Sequence, residues 1–107
     1  MQTPLIIGSN GHVAAIDVTD GRELWRTRLQ SGVFNATSRA DVSVLVQGGF
    51  VLAGSHGHLF CLDLESGSVL WNNELSGMGY NDISLAMQNV SVQFLQKVER
   101  SHSSSSS

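Results

Sequence analysis

The sequence predicts an all-β chain in which one antiparallel meander is used twice. Three observations carry this expectation. Trp25 and Trp71 stand 46 residues apart inside two copies of one pattern. Short β-rich runs alternate with glycine-bearing turns along most of the chain. No window places apolar residues at i, i+3, i+4 and i+7 between a credible cap and stop, so helix signals are nearly absent.

The repeat fixes the organisation. The first copy reads Gly8-Ser-Asn-Gly11-His12, then Ala15, Asp17, Gly21, Leu24, Trp25 and Leu29. The second reads Gly54-Ser-His-Gly57-His58, then Cys61, Asp63, Gly67, Leu70, Trp71 and Leu75. Nine of the 22 aligned positions from Gly8 to Leu29 are identical. A fixed period of this length signals a repeat architecture.

The elements follow in order. Leu5–Ser9 is a strand ended by Asn10-Gly11, a pair that readily takes the positive φ of a hairpin turn. His12–Val18 is the next, closed by the turn Thr19-Asp20-Gly21, and Glu23–Leu29 the third. Residues 30–40 connect to a second unit with strands Asp41–Gln47, Phe50–Ser55, His58–Leu64 and Val69–Leu75. After a loop over 76–81, Asp82–Gln88 repeats the pattern of Asp41–Gln47, and a last β-like run covers Val90–Val98. With the four strands of a complete unit labelled A to D, the chain reads B-C-D, A-B-C-D, A, and a final run in the B position. The first unit lacks its A strand, and a spare one stands at Ile83–Gln88. Closed β-propellers join their ends by such an offset, completing one blade from both termini.

The residues now carry a family resemblance. Ala15-x-Asp17-x-x-Asp20-Gly21-x-x-x-Trp25 and Cys61-x-Asp63-x-x-Ser66-Gly67-x-x-x-Trp71 resemble the Ala-x-Asp-x-x-Thr-Gly-x-x-x-Trp repeat of the quinoprotein-type (PQQ-like) β-propellers. Asp20 and Ser66 replace threonine, and Cys61 replaces alanine. The resemblance covers about residues 5–88. It implies that Asp17, Gly21, Trp25, Asp63, Gly67 and Trp71 are blade-docking residues. Physical chemistry agrees: an indole beside a glycine turn can pack a flat apolar face against the neighbouring sheet, and an aspartate beside the turn can accept backbone N–H bonds.

The expected fold is all-β, with two four-stranded propeller blades per chain that close into a β-propeller by homo-oligomerisation with strand exchange. Each sheet needs both faces covered, and a propeller needs about 4–8 blades. Two blades leave apolar faces exposed, and cyclic association of copies covers them. Three chains give six blades and four give eight; the commonness of eight among quinoprotein-like propellers favours four. Residues 1–100 form this unit, and the serine-rich 101–107 is expected to be disordered.

Composition narrows the function classes. The chain is 41% hydrophobic, and six Lys+Arg against nine Asp+Glu give a net charge of −3. Arg22, Arg26 and Arg28 cluster, but nucleic-acid binding needs a denser basic surface. The single Cys61 forms no internal disulfide and is expected to be a buried, inert thiol. The N-terminal residues lack the pattern of a signal peptide, so a cytoplasmic location is expected and the sequons at Asn35 and Asn89 are read as accidental. No stretch approaches a membrane span.

Candidate sites are few. His12, His56 and His58 are expected to be exposed turn histidines; His56-x-His58 could supply two metal ligands, but no third lies at suitable spacing. No catalytic constellation is recognisable. Quinoprotein enzymes carry a vicinal cysteine pair and a calcium site, and this chain shows neither, so no cofactor is expected. The best binding candidates are Phe34, Asn35 and Arg39 in the connector, His56 and His58 at the turn, and Met78, Tyr80 and Asn81 in the loop; they mix aromatic and polar groups. The expectation is a non-enzymatic homo-oligomeric propeller that binds or scaffolds a partner such as a peptide. The alternative is a lectin-like glycan binder with repeated sites, followed by a quinone-dependent dehydrogenase-like fragment.

Overall fold

The computed structural model describes residues 3–31, 34–35, 41–88 and 90–92. These residues form strands and turns, with no helix among them. The first sheet is β1 (Leu5–Ser9), β2 (His12–Ile16) and β3 (Glu23–Arg28), in that order and antiparallel. A short pair, β4 (Gln30–Ser31) with β5 (Phe34–Asn35), occupies part of the connector. The second sheet is β6 (Ser43–Gln47), β7 (Phe50–Ser55), β8 (His58–Asp63) and β9 (Val69–Asn73), an antiparallel meander. A final hairpin joins β10 (Leu85–Met87) to β11 (Val90–Val92).

Turn chemistry sets the registers. Asn10 and Gly11 have φ of 50° and 73°, and His56 and Gly57 have 49° and 79°. Two successive positive φ values give the twist that lets adjacent strands pair directly. Ser9 therefore opposes His12, and Ser55 opposes His58. Each repeat also carries a register shift at one equivalent place, between Ala15 and Ile16 and between Cys61 and Leu62. Ala15 opposes Trp25 and Cys61 opposes Trp71 beside these shifts, so the bulge aims each indole off the same end of its sheet.

The two sheets bury apolar faces against each other. Pairing places Ile6, Val13, Ala15 and Trp25 on one face of the first sheet. Val51, Ala53, Phe60 and Leu62 share the opposing face of the second. Val13, Val51, Ala53, Phe60 and Leu62 have no exposed surface, and Trp25, Val44, Val46 and Leu64 pack around them. Close approach depends on small residues at Gly8 and Gly54. A methyl at Gly8 would lie 2.8 Å from the Val42 side chain, and one at Gly54 would lie 2.9 Å from that of Ile83. These pairs are equivalent, so the segment entering β10 crosses the second sheet as the segment entering β6 crosses the first. Ser43 clamps it, its hydroxyl donating to the Ile83 carbonyl at 2.7 Å.

The second sheet has four strands and the first has the three of the B-C-D reading, with the edge of β1 unpaired among the described residues. Within the chain the spare A strand pairs with the run in the B position, β10 with β11, in a hairpin in which Met87 faces Val90 and which closes a far shorter loop than a return to Leu5 would. The connector carries the short pair β4 and β5. Strand ends are also trimmed by one or two residues, at Ile16, Arg28, Asp63 and Asn73. Residues 93–98 of the last run, and the tail 101–107, lie outside the described residues.

The buried position of Phe60 gives a direct check. Phe60→Ala should lower the unfolding free energy by about 3–5 kcal/mol in a urea melt at fixed protein concentration, since it opens a cavity between the sheets. Phe50→Ala, at a site 51% exposed, should change it by no more than about 0.5 kcal/mol.

Candidate functional site

Two features stand out: a dock between the sheets, and a rim where loop 76–81 meets the second sheet. The dock is built on the turn between the third and fourth strand positions. In the second sheet this turn is closed by Gly67 N donating to the Asp63 carbonyl at 2.8 Å and by Asp63 N donating to the Ser68 carbonyl at 2.8 Å. The Asp63 carboxylate accepts from Ser66 N at 2.8 Å and from the Ser66 hydroxyl at 2.9 Å. The first sheet repeats the plan. Gly21 N donates to the Asp17 carbonyl at 2.7 Å, and the Asp17 carboxylate accepts from Thr19 N at 2.9 Å and its hydroxyl at 2.6 Å.

These bonds hold the ionised form of both acids. The side-chain and backbone bonds from Thr19 bring Asp17 below its ordinary pKa, helped by Arg22 at 3.5 Å. The backbone and side-chain bonds from Ser66 do the same for Asp63. Both carboxylates thus serve as hydrogen-bond acceptors that order their turns.

Trp25 lies across this turn of the second sheet. Its Nε1 donates to the Leu64 carbonyl at 3.0 Å. The hydroxyl of Thr27 donates to the Gly67 carbonyl at 2.6 Å. The indole and Thr27 occupy the space where a side chain on residue 67 would be, since a methyl there would collide with the Trp25 ring and lie 2.9 Å from Thr27 Oγ1. Glycine is needed twice over, for that space and for a φ of 81°. A cleft of about 620 Å³ opens beside the dock, bordered by Pro4, Thr19, Trp25, Asp63 and Glu65.

The equivalent half-docks have no counterpart within the described residues. Trp71 is 46% exposed, and nothing lies within 4 Å of a methyl built on Gly21, whose φ is 80°. Thr27 and the Leu64 carbonyl were not singled out from sequence. Position 73, the repeat partner of Thr27, is asparagine, so both copies carry a hydrogen-bond donor two residues after the indole. That regularity was the available signal.

At the rim, Gly57 N donates to the Asn81 carbonyl at 3.0 Å, tying the loop to the hairpin turn. The rings of His56 and Tyr80 stand 5.7 Å apart, tilted by 30°. A recess of about 370 Å³ lies between His58, Glu74, Ser76 and Tyr80. Tyr80 is 68% and Met78 74% exposed. The structure therefore brings His56, His58, Tyr80 and Asn81 together. One expectation fails here: His58 is buried, 6% exposed, because its ring packs beside Phe60 and its Nδ1 reaches the His56 carbonyl at 3.3 Å. His12 is partly buried and donates from Nδ1 to the Asn10 carbonyl at 2.8 Å. No group of three or more His, Cys, Asp or Glu residues is arranged for a metal among the described residues. Cys61 is buried, and loss of solvent raises its thiol pKa. Phe34 and Asn35 are described only as backbone in β5, and Arg39 lies outside the described residues.

Repeated antiparallel meanders joined by an indole on a glycine turn define a β-propeller-type repeat protein. The family model described as "Outer membrane protein assembly factor BamB", a PQQ-like repeat family, matches residues 5–102, and the chain belongs to this family. No curated protein matches the chain.

Two measurements follow. Gly21→Ala and Gly67→Ala share the backbone cost of an L-residue at positive φ, about 1–2 kcal/mol. Gly67→Ala must also displace Trp25, which should add about 1–3 kcal/mol in chemical denaturation at fixed protein concentration. For pH, both aspartates have folded pKa values below the unfolded carboxylate value of about 3.9. Their contribution is present above that value and is lost as pH falls through the folded ones. The stability curve of Asp17→Asn/Asp63→Asn should accordingly be flatter than that of the parent over this acid range.

Proposed function

We propose that the chain is a non-enzymatic scaffold or binding module of the propeller type, built from several copies that cover one another's sheets. The observation that carries this reading is apolar exposure at the two outer faces. Leu5 and Ile7 of the first sheet are 52% and 42% exposed, and Trp71 on the outer face of the second is 46% exposed. Surfaces of this kind mark interaction sites. The family description supports the scaffold reading, since it names an assembly factor.

Strand exchange completes the sheets in this reading. β10 stands to the second sheet as β6 stands to the first, so it occupies the A position of a following blade. β1 of another copy then adds to β10 in the place that β11 holds within one chain, giving a blade with strands from two chains. The rim recess beside His58 and Tyr80 would recur once per copy, and repeated weak sites on one rim give avidity for a peptide partner.

Light scattering of the purified chain tests the assembly. The expected mass is that of three or four chains, independent of dilution in the micromolar range. A dilute single chain that unfolds cooperatively overturns the assembly and the scaffold built on it.

A further inference from the structure

The chain contains one complete example of a joint and both halves of a second. We propose that copies of this chain join head to tail, with Trp71 of one copy seated on the Gly21 turn of the next. The inference rests on the assembly reading above and assigns its interface.

The internal joint shows what each half requires. On the indole side it uses Ile6, Gly8, Val13, Ala15, Trp25 and Thr27. Forty-six residues on, the same positions hold Leu52, Gly54, Leu59, Cys61, Trp71 and Asn73, and pairing puts them on the outer face of the second sheet. On the turn side the joint uses Val51, Ala53, Phe60, Leu62 and the turn from Leu64 to Gly67. The first sheet holds Leu5, Ile7, Ala14, Ile16 and the turn from Val18 to Gly21 at those positions.

Exposure separates the larger equivalents, although the smaller Ala14 and Cys61 of the open halves are themselves buried. Val51 and Ala53 are fully buried under the first sheet, whereas their equivalents Leu5 and Ile7 are 52% and 42% exposed. Leu64 packs at the internal joint, whereas Val18 is 51% exposed. Chemistry follows as well. Trp25 donates to the Leu64 carbonyl, so Trp71 has the Val18 carbonyl as its acceptor. Thr27 donates to the Gly67 carbonyl, and Asn73 has an amide N–H to offer the Gly21 carbonyl. Its oxygen is already used, accepting from Leu75 N at 2.8 Å. The Gly21 turn has the same backbone hydrogen bonds as the Gly67 turn and a φ within one degree of it.

A second copy is the occupant because each open half matches the covered half of the same chain. The halves differ, so the contact is heterologous and repeats around a ring instead of stopping at a two-fold pair.

A mixing experiment tests this. Trp71→Ala removes the indole, and Gly21→Ala fills the space it needs. Each variant alone should sediment at one chain's mass. Mixed in equal amounts they should form a capped pair of two chains, because one intact Trp71 meets one intact Gly21 and the remaining halves are both disabled. In Trp71→Ala the remaining indole is Trp25, and blue-shifted emission from it establishes that the internal joint has folded. Should either variant keep the parent's mass, or the mixture remain at one chain's mass, the proposed joint is overturned while the multi-chain reading stands. A parent of one chain's mass overturns both.

Discussion

The fold depends on an indole laid across a glycine turn. Trp25 spans from one sheet to the next, and its N–H finds a main-chain carbonyl, so the ring is buried without leaving its polar atom unpaired. That contact fixes the separation and rotation of the two sheets. The core residues from Val13 to Leu62 can interdigitate only at that separation. Turn, bulge and glycine are best understood as conditions for this one contact: the bulge aims the ring, the aspartate rigidifies the turn, and the glycine leaves room.

Repetition turns that contact into a rule for assembly. In the proposed assembly, a sheet with an indole on one face and a glycine turn on the other is complementary to itself, so units add until the rotation between them closes a circle. In the proposed reading, binding falls to the rims, where loops are free of the packing demands inside. The rim described here is held by main-chain bonding between Gly57 and Asn81, with His58 drawn beneath it and Tyr80 left outward. Conformational order is thus supplied by the sheet, and chemical variety by the loop.

The missing helix signal, the turns at Asn10-Gly11 and His56-Gly57, and the period-46 repeat were all legible in the sequence, because each depends on a residue's own backbone preference or on a periodicity of two. The family was legible for the same reason, through Asp17, Gly21 and Trp25 and their repeats. His58 was misread as an exposed turn residue. His56 lies at the surface at a positive φ in the turn, whereas His58 opens β8 and shares by alternation the buried face of Phe60.

The sequence alone determined that the chain is built of repeated β-meanders, where their turns fall, and which residues form each half of the joint; these follow from φ preferences, alternation and spacing. Only the tertiary structure decided that Trp25 is engaged while Trp71 remains open, and that β10 pairs with β11 within the chain. Those outcomes depend on which surfaces meet in space. Two identical motifs can have different fates when one has a neighbouring sheet beside it and the other faces solvent.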